Sequence, residues 1–481
     1  MEKKLYWYDA ITTNIYFFAL SSRSNVLTPL LLPLFVEQFM GQDVKGASYG
    51  NLRLYSLMVA LLAQAVVGLL SDRSTSRFGK RRPFILGGSI LDVIILLIIG
   101  WIGSTMSGQA GYTALFIAVM VSMLSTNTAH AGAQGLIPDI VPQSERGLYS
   151  GVKALFEVPL PLIFVPFVIS PMITDKNYMG AILTLIGIIA FCTVLTMFAK
   201  ETPQKEAPFK ADWQSILRLV VMTIIFTLII VLMGRTASWA LPRLLGDKQL
   251  INLIMVGLVG LICMLIAVGL GVMVSVRVGL GKDGQQNQSA FTWWIVNRLA
   301  FLVGATNLSS FVLYYIQERF PAFQGQAAAG PTAMLIMMVG LALLVSSLPA
   351  GWLTDKFGTR KLLFASGILA LAGAILVLLA PAMTMMYVGG AVVGLGIGIF
   401  YSANWALGTS LVPKEQAGRY LGLSNLAGAG AGAIGAYIGG PIGDSAGFTL
   451  LMAIYAALFL FSTLALFKIK QPETNPSNAA V

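Results

Sequence analysis

Charged side chains inside long apolar segments are the residues whose types and positions most clearly suggest chemistry in this sequence. Arg23 lies about 18 Å from the start of the first apolar segment, at 1.5 Å per residue of helix. On the same measure, Asp92 lies about 12 Å into the third segment and Glu157 about 14 Å into the fifth. These depths overlap, so we expect Arg23 to pair with Asp92 or with Glu157. Lys153, one helical turn from Glu157, is an alternative partner for that carboxylate.

Charged groups at this depth need a reason to be there, because an ionisable side chain at mid-bilayer costs about 2.5–3.5 kcal/mol. The cluster is predicted either to bind a polar solute or relay a proton, or to form a structural ion pair between helices. The fourth apolar segment adds Asn127, His130 and Gln134 at helical spacing, with Asp139 at its end. The imidazole of His130 is suited equally to contact with a solute and to a hydrogen bond within the helix packing.

The elements that hold these residues are predicted to be membrane-spanning helices. Of 481 residues, 57% are hydrophobic and 11% are charged, with a mean hydropathy of +0.80. Apolar segments lie near 11–36, 52–70, 84–104, 112–137, 148–172, 178–199, 215–234, 250–276, 291–317, 331–353, 362–380, 386–411, 420–440 and 446–468. Segments of about 20 apolar residues cross a bilayer as helices, which satisfy their own backbone groups in lipid. We therefore predict an all-α polytopic membrane protein with fourteen transmembrane helices.

The distribution of charge predicts the orientation. If the amino terminus is cytoplasmic, most of the 31 Lys and Arg residues fall in connectors on the cytoplasmic side of the membrane. The reverse topology would place most of them on the outer side. We therefore expect both termini to be cytoplasmic and the protein to lie in the cell membrane. The net charge of +11 resides in these connectors, so no nucleic-acid partner is expected. The first apolar segment has no small-residue cleavage site and is predicted to be retained.

Two stretches of the sequence recur. The residues GLLSDRSTSRFGKRR at 68–82 match GWLTDKFGTRK at 351–361 once the four residues STSR are omitted from the first stretch. The residues IVPQSERGLYSG at 140–151 match LVPKEQAGRYLG at 411–422. Two six-helix units, with an even number of inserted helices between them, account for both repeats because the units then keep the same orientation.

Parallel halves of this kind resemble the major facilitator superfamily, whose two halves are related by an axis along the membrane normal. The resemblance covers the whole chain except the insert. The predicted domains are an amino-terminal six-helix half at 1–200, an insert with two extra helices at 201–284, a carboxy-terminal six-helix half at 285–470 and a disordered tail at 471–481.

A closer resemblance lies in SDRSTSRFGKRRPF at 71–84, which is similar to the second-to-third helix connector of sucrose transporters and the glycoside–pentoside–hexuronide:cation symporters. In related transporters this motif resembles a cytoplasmic gate, although topology alone also explains its positive charge. The resemblance implies gating roles for Gly68, Asp72, Arg73, Gly79, Arg81, Arg82, Asp355, Gly358 and Arg360. The stretch AGAQGLIPDI resembles a segment that ends in a proton-coupling aspartate, which implies that role for Asp139. Pairing with Arg146 is the alternative.

The superfamily resemblance also implies that the first, fourth, seventh and tenth core helices line a central cavity. Amides, hydroxyls and aromatic rings in those helices suit a neutral polyol, although ordinary packing also explains the rings. The implied substrate-binding residues are Arg23, Asn127, His130, Asn297, Asn307, Tyr401, Asn404 and Trp405, and the implied cation-coupling residues are Glu157, Asp139 and Asp92. Arg298 lies nearer the inner end, where it could extend to the interface.

These resemblances imply a secondary active transporter that moves a small polar solute, such as a sugar or glycoside, by symport with a proton or with sodium. The alternative is a proton-coupled exporter of drugs or amphipathic compounds, since fourteen spans with a central pair also occur there. We expect no enzyme, because no nucleophile with a base and no paired acids lie at one depth. Cys192, Cys263 and His130 have no metal-ligand spacing, so neither a metal nor a cofactor is expected. The expected partners are the solute, the cation and membrane lipid, and the protein is expected to act as a monomer.

Overall fold

The structure is a computed structural model that describes residues 6–203, 213–244, 250–280, 289–412 and 417–469. All regular elements within these ranges are helices. The predicted tail at 471–481 lies outside the described residues.

Fourteen long helices make up the described chain, numbered here in order. They are α1 (7–40), α2 (Lys45–Asp72), α3 (Arg82–Thr105), α4 (Gly108–Ile140), α5 (Arg146–Thr174), α6 (Tyr178–Thr196), α7 (Trp213–Leu244), α8 (Leu250–Leu280), α9 (Ser289–Arg319), α10 (Ala329–Phe357), α11 (Thr359–Leu379), α12 (Met383–Leu411), α13 (Ala417–Ala446) and α14 (Phe448–Ala465). Twelve of them are long and apolar enough to cross a membrane, and α1 and α13 complete the set. The predicted all-α fold with fourteen helices is confirmed.

Proline residues interrupt two of these helices. In α1 the turn Leu27–Leu31 is π-helical and contains Pro29, and in α5 the π-helical turn Val165–Ile169 contains Pro166. Proline has no N–H to donate and its ring clashes with the preceding turn, so the regular hydrogen-bond ladder cannot continue through it. Both helices therefore carry a local irregularity in the half farther from their amino-terminal ends.

The packing of the first six helices is repeated in the last six. Helix α4 packs on α2 and α3, and α6 packs on α1 and α3. In the same way α12 packs on α10 and α11, and α14 packs on α9 and α11. The internal repeats of the sequence thus correspond to repeated helix contacts.

The remaining two helices, α7 and α8, pack on each other and on α13. Helix α8 also touches α9 and α14, and α7 touches α2. Their other faces carry exposed apolar side chains, such as Leu228 and Leu232 on α7 and Ile254 on α8, as expected for surfaces that meet lipid. They therefore lie at the edge of the bundle beside the last six helices.

Short connections make successive helices antiparallel, so the bundle has two ends. Asp9, near the start of α1, forms an ion pair with Lys200 beyond α6 at 2.8 Å. Phe364, near the start of α11, contacts Phe467 beyond α14. We call this end, where both termini of the described chain lie, the terminal face, and the opposite end the distal face.

Candidate functional site

The two sets of six helices meet at the distal face. Helices α2 and α13 form the most extensive contact between them. A Cβ at Gly46 would lie 2.6 Å from the carbonyl oxygen of Gly440, and at Gly50 the backbone of Ala436 leaves no room for a Cβ. Glycine and alanine let helix backbones approach this closely. The small residues therefore bring α2 and α13 into direct backbone contact near the distal face.

Polar side chains join the two sets at the same face. Lys45 on α2 is 5% exposed, and its Nζ lies 3.0 Å from Glu37 Oε1 and 2.9 Å from Gln317 Oε1 on α9. Gln317 in turn donates to Glu37 Oε2 at 2.8 Å. Asp444 on α13 accepts hydrogen bonds from the backbone N–H groups of Gly46 and the next residue, at 2.7 Å each. A carboxylate at the first turn of α2 is stabilised by the helix dipole as well as by these bonds.

Helices α5 and α10 diverge toward the terminal face. Near the distal face they touch, because Leu162 occupies the space beside Gly340 and Ser170 lies close to Gly330. Closer to the terminal face Leu155 is 57% exposed and Leu348 is 84% exposed. Five hydrogen bonds join the first and last six helices within the described ranges, and all five lie at the distal face. A cleft thus opens between the two sets at the terminal face.

A fully buried ion pair lies inside the first six helices. Arg23 on α1 donates from Nε to Asp92 Oδ2 at 2.7 Å and from Nη2 to Oδ1 at 3.2 Å. Ser122 and Ser125 on α4 donate to the same carboxylate at 2.8 and 3.2 Å. Both charged side chains are under 5% exposed. Of the two partners expected for Arg23, the structure selects Asp92, and the arrangement ties α1, α3 and α4 together.

A row of polar side chains borders the cleft on the same six helices. Gln64 on α2 donates to Gln134 on α4 at 3.1 Å, and Gln134 contacts His130 at 3.0 Å. On α5, Lys153 pairs with Glu157 at 3.5 Å, and the Glu157 side chain is 40% exposed. Phe17 of α1 lies between the polar side chains of α4 and those of α5. Its ring contacts His130 edge to face, and the ring centroid lies 4.3 Å from Lys153 Nζ. Glu157 is therefore the acidic group of this region that remains accessible.

The last six helices present aromatic and basic groups. Arg298 on α9 donates to Asn404 Oδ1 on α12 at 2.8 Å, and Asn404 donates to Asn297 at 3.1 Å. Asn297 also donates to Ser462 on α14, and both asparagines are at most 2% exposed. Beside Arg298, Tyr401 is 41% exposed, and Trp405, one turn along α12, is 49% exposed. The exposed rings and Arg298 thus form a surface backed by a buried amide network.

Two further predicted binding residues have intramolecular partners. Asn307 has no exposed surface and donates to carbonyl oxygens of Val303 and of Ala431 on α13. Asn127 is partly buried and donates to Met123 within its own helix at 2.8 Å. In this state both amides are used in helix packing.

The first copy of the predicted gating motif forms an ion-pair network at the terminal face. Arg81 contacts Asp72 and Ser71 at the end of α2 and donates to Asp139 Oδ2 at the end of α4 at 2.7 Å. Lys80 pairs with Asp139 at 2.9 Å. Burial alone would lower the pKa of Arg81, but the bonds to Asp139 and Asp72 raise it above its usual range. The expected alternative for Asp139, an ion pair with Arg146, is wrong, because the loop between α2 and α3 brings two basic residues nearer. 

Glu201, which follows α6, completes this network. Its carboxylate is 3% exposed and accepts from the backbone N–H groups of Arg81 at 2.7 Å and Arg82 at 3.2 Å. Arg82 also donates to the carbonyl oxygen of Met197 at the end of α6. Gly79 has a φ of +101° and packs on Glu201 with no room for a Cβ, so both its backbone conformation and its contact require glycine. The network therefore joins the terminal ends of α2, α3, α4 and α6.

The second copy of the motif has the same turn without the network. Gly358 has a φ of +87°, as its counterpart Gly79 does, so the repeat preserves a left-handed turn. Asp355 belongs to no ion pair in the described part of the chain, and Arg360 lies 5.7 Å from the ring of Phe467. In the first copy Gly68 has open space beside it and Arg73 is partly buried.

Comparison with known proteins identifies the fold and a family match for the last part of the chain. The family model of the Major Facilitator Superfamily matches residues 294–480, which include the last six helices except the first five residues of α9. The crystal structure of the nucleoside transporter NupG has a TM-score of 0.59 and 12% sequence identity, over 96% of this chain and all of that one. A POT family transporter in complex with 5-aminolevulinic acid has a TM-score of 0.65 and 14% identity over 96% of both chains. Residues 294–480 thus match the superfamily model, and the solved transporters show the same fold over nearly the whole chain.

Relatives with local sequence similarity are sugar transport proteins by name. Sucrose transport protein SUC3 of Arabidopsis thaliana is 29% identical over 197 residues, 33% of either chain. The lactose permease of Lactobacillus helveticus is 26% identical over 30% of this chain and 23% of that one. The general alpha-glucoside permease of Schizosaccharomyces pombe is 24% identical over 30% of this chain and 29% of that one. The matches thus span a third or less of each relative. They confirm the predicted resemblance.

Some residues of the site have only weak sequence signals. Glu201 stands in a polar connector where any of several charged residues could have been the partner of the gating motif. Asp444 and Gln317 lie at the ends of apolar segments, where polar residues are common. Within the described ranges, no group of three or more His, Cys, Asp and Glu side chains could hold a metal ion.

Proposed function

We propose that this protein is a secondary active transporter that moves a sugar or glycoside together with a proton, by alternating access. The observation that carries the proposal is the cleft, which opens at the terminal face while α2 and α13 close the distal face. A solute site reached from one side at a time is what alternating access requires. The gating motif at the mouth of this cleft and the buried ion pair beside it fit the same function.

The chemistry of the cleft supports a sugar as the solute. Gln64, Gln134 and His130 offer hydrogen-bond donors and acceptors from the first six helices. Tyr401 and Trp405 offer aromatic faces from the last six, and such faces pack on the C–H groups of a sugar ring. The names of the relatives point the same way, toward sucrose, lactose and alpha-glucosides.

We assign the binding of the co-transported proton to the carboxylate of Glu157. Its carboxylate is accessible from the cleft and has one partner, Lys153, at 3.5 Å, so it can gain or lose a proton without breaking a buried network. Asp92 is sealed in its contact with Arg23, and Asp139 is held by two basic groups of the gate. In this proposal Asp92 positions helices and Asp139 stabilises the gate in its present state.

The proposal keeps the predicted organisation of the chain. It has two six-helix halves, 1–200 and 285–470, that move relative to each other, and an insert at 201–284 that travels with the second half. The terminal face is cytoplasmic, the membrane is the cell membrane, and one copy of the chain in lipid suffices for transport.

The direct test is uptake of radiolabelled sucrose and maltose into proteoliposomes. We expect accumulation of at least one sugar under an inward proton gradient, and loss of accumulation when a protonophore collapses the gradient. Empty liposomes and liposomes with heat-denatured protein serve as controls. If folded, correctly oriented protein accumulates neither sugar, disaccharide symport is excluded and export of amphipathic compounds becomes the better explanation of the cleft.

A further inference from the structure

A second concave surface of the first six helices lies between α5 and α6, on the side of α5 away from the cleft. It has a volume of about 670 Å³, within the range of roughly 300–1,000 Å³ that ligand-binding pockets have. Most of its lining side chains are aromatic or aliphatic, and the one hydroxyl among them, that of Thr184, donates to the carbonyl oxygen of Gly180 at 2.9 Å. We call this surface the lateral groove. It suits an apolar ligand and offers little to a sugar.

The lateral groove exists because α5 and α6 diverge from their common end. The two helices pack on each other at Ser170–Thr174, beside the connection between them, and farther along each packs on α1 instead. At the bottom of the groove Phe18 of α1 contacts Phe164 of α5 edge to face, with ring centroids 5.7 Å apart. At its rim Phe167 and Phe191 are each 61% exposed. The groove therefore opens onto the surface of the bundle that faces lipid.

The internal repeat shows what occupies the equivalent position in the second half. There α13, α14 and α9 correspond to α5, α6 and α1, and helix α8 of the insert packs on all three. A Cβ at Gly260 of α8 would lie 2.5 Å from Ile442 on α13 and 3.2 Å from Ile454 on α14, so glycine lets α8 settle between them. In the described part of the chain, no helix takes the same position on the first half.

The walls of the lateral groove favour a flexible occupant over a further helix. Helices in lipid pack closely through small residues, but this groove is lined mainly by phenylalanine, isoleucine and leucine, and the space beside its one glycine, Gly187, is empty. A rigid helix laid on such a wall would leave gaps, and each gap forfeits dispersion contacts that a hydrocarbon chain can make. Along α5 the groove extends about 18 Å from Phe156 to Val168, more than half of the roughly 30 Å hydrocarbon core.

We propose that the lateral groove is a binding site for one acyl chain of a membrane phospholipid, which takes the place on the first half that α8 takes on the second. This chain lies behind the cleft-facing residues of α5, because Phe156 lines the groove while the next residue, Glu157, pairs with Lys153 on the cleft side. It also touches Phe167 and the following residue in the π-helical turn of α5. The bound chain therefore supports the part of α5 whose hydrogen-bond ladder is interrupted.

The test measures phospholipid that stays on the protein after extensive washing in detergent. Washed protein is incubated with a phosphatidylcholine that carries a diazirine in one acyl chain, washed again, weighed by native mass spectrometry and irradiated. We expect one phospholipid per chain, with adducts concentrated in 156–168 and 184–192. Adducts spread evenly over other exposed apolar faces, such as Ile90 and Ile94 on α3, would show non-specific lipid and overturn the proposal.

Matched glycine variants separate the site from the rest of the surface. Gly187→Leu places a side chain in the empty space of the groove and should lose the retained phospholipid and most of the adducts. Gly87→Leu, on the exposed face of α3, also adds its side chain to empty space and should retain both. Phe191→Ala removes a ring from the wall and should lower the occupancy. It carries the test if thermal unfolding shows that Gly187→Leu fails to fold.

Two results would overturn the assignment of the occupant. Equal retention of phospholipid by Gly187→Leu and Gly87→Leu would place the bound lipid elsewhere on the protein. A photoreactive amino acid at position 191 that cross-links to a polypeptide in native membranes, and not to phospholipid, would assign the groove to a partner helix. None of these measurements uses transport, so their outcome does not depend on the proposed function.

Discussion

At the scale of single residues, the charged groups in the membrane differ chiefly in how completely their neighbours satisfy them. The carboxylate of Asp92 accepts hydrogen bonds from Arg23, Ser122 and Ser125 and is sealed from solvent. Glu157 has a single partner and is 40% exposed. A group that exchanges a proton during transport needs a path to water. Glu157 has such a path in this structure, and Asp92 does not.

Replacement of Glu157 tests this assignment. Glu157→Gln keeps the size and hydrogen-bonding capacity of the side chain but fixes it in a neutral state. We expect gradient-driven accumulation of sugar to disappear while exchange of labelled for unlabelled sugar across the membrane continues, because exchange needs no net proton movement. Glu145→Gln, in the connector before the same helix, should accumulate sugar normally. Accumulation by Glu157→Gln at the rate of the unmodified protein would assign the proton elsewhere.

The buried pair of Arg23 and Asp92 makes a different prediction. Removing one partner leaves an uncompensated buried charge, so Asp92→Ala should cost about 3–5 kcal/mol of stability. Replacing both partners with apolar residues of similar volume, as in Arg23→Met with Asp92→Leu, should recover most of that loss. The measurement is thermal unfolding in detergent, followed by uptake.

If the pair only positions helices, the double variant should also transport. A double variant that folds as stably as the unmodified protein but transports nothing would give the pair a direct part in binding or coupling.

At the scale of helices, the contact between α2 and α13 depends on small residues. Gly46 and Gly50 are four residues apart on α2, and Ala436 and Gly440 are four apart on α13. This spacing places each pair on one helix face, so the backbones touch along a full turn. Larger side chains at these positions would keep the distal face from closing.

Gly50→Val tests the contact directly. No Cβ fits at this position against the backbone of Ala436, so the variant should favour the state with an open distal face and lose most uptake. A cysteine introduced by Ser48→Cys, buried near the distal face, should then react faster with a membrane-impermeant maleimide. Gly87→Val serves as the control, because the space beside Gly87 is empty. Unchanged labelling and uptake in Gly50→Val would show that the contact is not required for closure.

The sequence was sufficient to predict the helices but not which side chains contact each other between them. Length and hydropathy identify all fourteen helices, because in lipid a long apolar segment must form a helix. The repeat aligns Gly79 with Gly358, and the structure explains why glycine recurs there, since both have a positive φ, which strongly favours glycine. The partner of Arg23 could not be chosen, because Asp92 and Glu157 lie at similar depth and only helix rotation separates them. The sequence pattern does not indicate the helix contact at Gly46 and Gly50, because these residues precede the apolar core of their helix.

At the scale of the whole molecule, the polar contacts are divided unequally between the two faces. The distal face joins the halves through Lys45, Gln317 and Asp444, whereas the ion-pair network at the terminal face lies within the first half. The proposed transport requires a second state in which the distal contacts part and the cleft closes. In that proposal the two states lie within a few kcal/mol of each other, so that a solute and a proton can shift the balance between them.

Disulfide cross-links can hold the molecule in either state. Ser170 and Gly330 lie close together on α5 and α10, with Ser170 Oγ 3.8 Å from the Cβ position of Gly330, so these two positions are suited to a cross-linking test. With Cys192 and Cys263 replaced by alanine, oxidation of Ser170→Cys with Gly330→Cys should cross-link readily and stop uptake, and reduction should restore it. Leu155→Cys with Ser347→Cys, on the diverging ends of the same helices, should cross-link only as the cleft closes, and faster when sugar drives turnover. If the cysteines at positions 155 and 347 cross-link at equal rates with and without sugar, in protein that still transports, closure of the cleft is not the step that moves the solute.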